Sequence, residues 1–186
     1  DVGWRKAEQI KVDLPELMSK YGVEFNGNGV LRLHADENRL ENNDDASITY
    51  DYLVIATGPR LAFEEVSGLG PDRHTQSVCK TGHAATANFE FNNLVEDPGP
   101  VIVGAAPMAS CFGPAYEYLF ILDTELKKRK IRDKVEMHFV TPEPYIGHLG
   151  LDGVGDTKSM LESEMRDRHV HWTTNAKITK VEDGRV

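Results

Sequence analysis

Two thiols, a handful of imidazoles and one damaged glycine motif carry most of the chemistry open to this chain. The thiols are Cys79 and Cys111. A cysteine becomes a nucleophile and redox group as the thiolate, which a helix start favours because unpaired N–H groups and the positive dipole end face it. Cys111 lies where a helical pattern begins and so fits that description. Read alone, each cysteine is a small buried hydrophobe. Two cysteines make neither a disulfide scaffold nor a zinc site, which needs about four ligands. His83 follows Cys79 by four residues, so both share a helix face if the helix begins in time. His169 and His171 fall on one face of a strand without a third ligand nearby, and read as an exposed pair with no metal. Glu117, as a bare feature, is a helix carboxylate.

The element that must position Cys111 is the stretch Pro98 to Lys130. A Pro/Gly turn opens it, Val101, Ile102 and Val103 form a short apolar strand, and a helix ends in a basic cluster. Strand, tight turn and helix are the layout of a dinucleotide-binding unit, where glycines admit a pyrophosphate to the helix N-terminus. Placed on GxGxxG, the glycine positions here read Gly104, Ala106 and Ala109. The end of the next strand, where a nicotinamide-binding unit wants an acid for the ribose, offers Thr141-Pro142, with Glu143 only after the proline. Both departures argue against NAD(P)H.

The rest of the chain supports an α/β, Rossmann-like dinucleotide-binding fold preceded by a small β-meander. Residues 8–20 give a weak helical pattern interrupted by Pro15, residues 30–34 alternate as a strand, and Ile48 to Ile55 resumes as strand. That strand runs into Ala56-Thr57-Gly58. A helix starts near Thr81 and is ended by Asp97-Pro98-Gly99-Pro100. After residue 100 come strands at 135–140, 170–173 and 178–181, with a helix at 157–168 and a glycine-laced loop before it. Tyr116, Tyr118 and Phe120 read as core packing. The expected domains are 1–97 and 98–186.

Hydrophobic content of 40% and charged content of 27% are those of a soluble globular protein. A net charge of −9 argues against nucleic acid as a partner. The basic run Lys127 to Lys130 complements the end of a helix dipole. The chain begins without Met and stops just past a strand pattern, which reads as an internal piece of a longer protein.

Four stretches, YDYLVIATGP, SVCKTGHA, ASCFGPAYEY and EPYIGHLGLDGVGD, together resemble the sulfide:quinone oxidoreductases, flavoproteins of the two-dinucleotide-fold disulfide-reductase class. The resemblance implies that residues 1–97 are part of an FAD-binding domain and 98–186 a degenerate, truncated second dinucleotide fold. It implies oxidation of sulfide to sulfane sulfur and polysulfide, with electrons passing through FAD to a membrane quinone. Cys111 corresponds to the thiol that carries sulfur beside the flavin, paired with a cysteine outside this chain, and Cys79 to a more peripheral thiol. His83 and His148 correspond to acid/base groups, Glu117 to a proton acceptor near the flavin, and Thr57, Gly58 and Pro59 to the flavin-contacting turn. The whole protein is then expected as a peripheral protein of the prokaryotic cytoplasmic membrane, attached through a carboxyl-terminal region not included here, with homo-oligomerisation open. The piece alone is expected to be soluble, inert and without FAD. The rival within the same chemistry is the flavoprotein subunit of flavocytochrome c sulfide dehydrogenase, which passes electrons to haem.

Overall fold

The computed structural model describes all 186 residues, Asp1–Val186. They form two compact units, one of residues 8–59 and one of residues 1–7 with 60–186.

In the smaller unit Asp13 caps a short helix, α2 (Leu14–Lys20), its carboxylate accepting from the Glu16 N–H at 3.0 Å. Pro15 sits in the first turn of α2, where its missing N–H costs nothing. The interruption expected at Pro15 therefore falls before it, between α1 (Ala7–Ile10) and Leu14. Strands β1 (Val30–His34), β2 (Arg39–Asn42) and β3 (Ser47–Thr49) make the antiparallel meander, pairing Leu33 with Leu40 and Leu40 with Ile48. Asn42 is the unit's single buried residue, and its side-chain oxygen accepts from the N–H groups of Asp44 and Ala46 to close the β2–β3 turn. The expected strand through Ile55 stops at Thr49. Tyr52, Val54 and Ile55 are exposed, because an apolar run forms a strand only where another strand offers its backbone.

The larger unit holds the hydrophobic core. Helix α3 (Thr81–Glu96) precedes a parallel sheet of β4 (Val101–Gly104), β5 (Met137–Val140) and β6 (Val170–Thr173) in the order β4-β5-β6. Helix α4 (Gly113–Lys128) connects β4 to β5, and α5 (Thr157–Asp167) leads into β6. Met137 and Phe139 of the central strand are fully buried beneath Leu119, Leu122 and Leu126 of α4 and Met165 of α5. Phe91 of α3 and Val2 join the same core. These leucines recur at three- and four-residue spacing, the stripe by which a helix covers a sheet.

The strand expected at 178–181 reduces to a single bridge between Lys180 and Ser67. His169 lies outside β6 in a left-handed conformation (φ 53°), which removes it from the strand face of His171. His171 neighbours His138 on β5 instead, with ring centroids 6.4 Å apart. No helix is long and apolar enough to cross a membrane.

Candidate functional site

Ligand chemistry in a parallel sheet gathers at the carboxyl edge, where strands feed into loops. Two adjacent loops meet that description. One follows β4, runs from Ala105 to Phe112 and carries Cys111; the other follows β5, runs from Thr141 to Asp156 and carries His148.

Both thiols are free and exposed, not buried as each cysteine read alone implies. The reason is local: each sits in a loop just before a helix. Phe112 is the N-cap residue of α4, so Cys111 lies one position outside the helix. The Phe112 ring packs against the second loop, 3.3 Å from where a side chain on Gly150 would begin. The residue beside Cys111 therefore touches the loop of His148.

That second loop is held from three directions. The Tyr116 hydroxyl on α4 accepts from the Gly147 N–H at 3.0 Å. The Glu143 carboxylate accepts from the Leu149 N–H at 2.6 Å. Thr157, at the start of α5, donates from its hydroxyl to the Gly147 carbonyl at 2.9 Å. Gly147 is required there, since its φ is +82° and a Cβ would press on the Thr157 backbone. Within the loop, the Gly150 N–H reaches His148 Nδ1 at 3.2 Å, and Asp152 Oδ1 lies 3.9 Å from Nε2. An Nδ1 that accepts leaves the proton of the neutral ring on Nε2.

Glu143 is 2% exposed and its carboxylate is fully engaged. Oε2 accepts from the Tyr116 and Thr141 hydroxyls, both at 2.7 Å, while Oε1 takes the Leu149 N–H. Burial foremost, together with the neighbouring carboxylate, pushes the Tyr116 hydroxyl far above its ordinary pKa, so it stays protonated and donates to Glu143. Sequence reasoning considered Glu143 only as a ribose acid and missed this role. The flanking Pro142 and Pro144 were the one visible hint of a constrained backbone.

Cys79 and His83 do not share a helix face. Helix α3 starts at Thr81 after an extended Lys80, which leaves Cys79 outside the helical register. His83 Nδ1 instead meets Ser77 Oγ at 3.3 Å, its ring 5.9 Å from that of Phe63, and Ser77 Oγ also accepts from the Cys79 N–H at 3.3 Å. Ser77 thus links the two, a contact the spacing did not suggest. Glu117 is exposed on α4 beside buried Tyr116. In the smaller unit Thr57, Gly58 and Pro59 lie in an exposed segment without regular structure, with Gly58 at φ +73° and no atom within 4 Å of where a side chain on it would begin.

No protein-family model matches the chain. Sulfide-quinone reductase of Aquifex aeolicus is 41% identical over 185 residues, 100% of this chain and 42% of that protein. The mitochondrial sulfide:quinone oxidoreductase of Dictyostelium discoideum is 32% identical over 108 residues, covering 56% of this chain and 24% of that protein. The X-ray structure of the Aquifex aeolicus sulfide:quinone oxidoreductase superposes with a TM-score of 0.86 over 97% of this chain and 42% of its own. From end to end, the chain is similar to sulfide:quinone oxidoreductase. It spans less than half the length of these relatives. The putidaredoxin reductase of a covalent complex with putidaredoxin superposes with a TM-score of 0.60 at 17% identity over 97% of this chain and 40% of its own, which supports the Rossmann-like fold alone.

The surviving fingerprint glycine has an architectural explanation. A Cβ on Gly104 would overlap the Val140 carbonyl oxygen on β5, and that oxygen also accepts from the Ala105 N–H at 3.0 Å. Gly104 is therefore needed for the approach of β4 to β5, whether or not a nucleotide binds.

Proposed function

We propose that this chain is the sulfur-handling part of a sulfide:quinone oxidoreductase, an FAD enzyme that oxidises sulfide to sulfane sulfur and polysulfide and delivers the electrons to a membrane quinone. The observation that carries the reading is similarity along the whole chain to such an enzyme, with two solvent-exposed thiols in the loops that lead into α3 and α4. Residues 1–97 are assigned to its FAD-binding domain and 98–186 to the second dinucleotide fold. The exposed segment Thr57–Pro59 fits a flavin, since the open space at Gly58 leaves its backbone free to lie against a flat ligand. Bound FAD supplies a two-electron acceptor for sulfide and a two-electron donor to the quinone.

The protein's own groups handle sulfur and protons. As hydrogen sulfide becomes sulfane sulfur it loses two protons and two electrons, and the electrons end on the quinone as hydroquinone. Cys111 Sγ carries the sulfane sulfur, and Cys79 serves sulfide entry or polysulfide release. His83 Nδ1 pairs with Ser77 Oγ, and in the tautomer that donates there Nε2 is the base for a sulfide proton. His148 presents Nε2–H, the arrangement for steadying the negative charge that develops on sulfur in the transition state and not for removing a proton. Glu117, exposed on α4, is a further proton acceptor. The glycine positions filled by alanine and the engaged carboxylate of Glu143 argue against NAD(P)H as donor. Attachment to the prokaryotic cytoplasmic membrane and the quinone pocket are assigned to parts of the protein outside this chain.

The test is anaerobic mixing of the full-length flavoprotein with sulfide and, separately, with NADH, while the flavin absorbance is followed. Bleaching by sulfide and not by NADH, abolished by Cys111→Ala, is the expected result. Bleaching by NADH alone would overturn the reading. Reoxidation by a quinone in preference to a cytochrome separates the quinone enzyme from a flavocytochrome subunit.

A further inference from the structure

The N–H groups on either side of His148 are both captured by side chains that lie beneath its loop. Gly147 donates to Tyr116 Oη and Leu149 to Glu143 Oε1, and Tyr116 in turn donates to Glu143 Oε2. Thr141 donates to the same Oε2 and accepts from the Glu143 N–H at 3.3 Å. The three side chains come from α4 and from the end of β5, and all are buried. Buried polar groups of this kind are costly unless every one is satisfied, and here each has its partner. The only imidazole in the loop is clamped between two of these bonds. The clamp also reaches the other site loop, because Tyr116 lies on the helix that starts just after Cys111.

We propose that Glu143, acting with Tyr116, is a positioning residue that fixes His148 relative to the Cys111 loop. The carboxylate nearest the place where a nicotinamide-binding fold holds its ribose acid is turned inward and is the latch of the sulfur site. This proposal rests on the reading of His148 as a group that steadies the negative charge developing on sulfur in the transition state. Its chemistry is a hydrogen-bond relay with no bond made or broken: Tyr116 carries the Gly147 N–H to Glu143, and Glu143 holds Leu149 directly. Loosening the latch leaves sulfide able to reach the site while His148 no longer meets the developing charge in one fixed pose. An interaction made only in the transition state, once lost, lowers the limiting rate and leaves half-saturation unchanged.

The experiment uses the full-length protein as wild type, Tyr116→Phe, Glu143→Gln and Glu143→Ala. Amide hydrogen exchange over residues 144–152 is read by mass spectrometry beside the rate of flavin reduction at varied sulfide. Tyr116→Phe, which removes the acceptor of the Gly147 N–H, is expected to speed loop exchange at least about tenfold, and Glu143→Ala, which leaves three donors unpaired, to speed it more. Exchange in α4 and β5 stays as in wild type. The limiting rate of reduction falls in step with loop exchange, at unchanged half-saturating sulfide. Glu143→Gln keeps a carbonyl acceptor for Leu149 but no second acceptor for the two hydroxyls, and falls between. If Glu143→Ala does not fold, Tyr116→Phe and Glu143→Gln carry the same comparison. Wild-type exchange rates in the loop of these variants overturn the latch, as does a loosened loop with an unchanged limiting rate. A wild-type flavin that sulfide does not reduce overturns the enzymatic reading and the positioning role with it, so the two failures are told apart.

Discussion

The most demanding structural prediction concerns Asp123, at the opposite end of the sheet from the two site loops. Its carboxylate is fully buried and meets three cations: Lys127 at 2.8 Å, Arg132 at 2.7 Å and Arg168 at 3.1 Å. Arg132 also donates to the Val135 and Arg168 carbonyls, both at 2.6 Å, so the cluster staples α4 to the chain entering β5 and β6. Burial opposes the charge, but the hydrogen bonds from Lys127, Arg132 and Arg168 outweigh it and hold the carboxyl below its ordinary range. Removing one partner of a buried ion pair costs about 3–5 kcal/mol. All three cations keep some access to water, which places Asp123→Ala toward the lower end, about 3 kcal/mol. At about 2–4 °C per kcal/mol for a chain of this size, Tm falls by about 6–12 °C. Urea unfolding, followed by tryptophan fluorescence, measures the loss, with Asp123→Asn as the control that keeps shape and removes charge. The sign with pH follows from the lowered folded pKa. The contribution is complete above the unfolded value, about 3.9, and fades as pH falls through the still lower folded value. The gap between wild type and Asp123→Asn should therefore hold steady near neutrality and close in acid. A loss below about 1 kcal/mol for Asp123→Ala, or a gap that widens on acidification, refutes the reasoning.

Two further predictions follow from geometry. Gly104→Ala forces a methyl onto the Val140 carbonyl and should cost about 1–3 kcal/mol in a urea titration, whereas a neutral result would remove the architectural account of that glycine. A thiol-specific chromogenic reagent should titrate both cysteines of the native chain without denaturant, and a count of one would mean that Cys79 or Cys111 is covered.

Much of the larger unit was legible because its signals are local and repeated. The start of α3 at Thr81 and its end before Pro98 follow from periodicity and a breaker, and α5 begins at Thr157 as its pattern indicates. The parallel strands showed as short runs of β-branched and aromatic residues, and β4 and β6 lie within a residue of expectation. What failed depended on partners. The run Tyr52–Ile55 has strand composition but no neighbouring backbone, and composition cannot reveal a missing neighbour. The Cys79–His83 spacing would have mattered only inside a helix, and one extended residue, Lys80, cancels it. Tyr116 and Glu143 are 27 residues apart, and Asp123 and Arg168 are 45 apart. No local pattern connects such pairs. Of the candidate site, then, the thiols and His148 could be named in advance, whereas the groups that hold His148 in place could not.

The damaged fingerprint and the buried carboxylate have one physical explanation. A dinucleotide fold keeps its ligand through backbone N–H groups freed by glycines and through an acid directed at the ribose. Here the retained glycine answers to strand packing, and the acid is spent on three protein donors. Neither group can be returned to a ligand cheaply. Freeing Glu143 would strand the buried Tyr116 and Thr141 hydroxyls, each costing about 1–3 kcal/mol when left unpaired, and the partly buried Leu149 N–H. A carboxylate tied into its own fold by that margin holds a loop better than it recruits a nucleotide. The carboxyl edge of the sheet is left with an exposed thiol on one loop and, on the next, an imidazole whose Nδ1 accepts from the Gly150 N–H, so that its Nε2–H is free to face an anion.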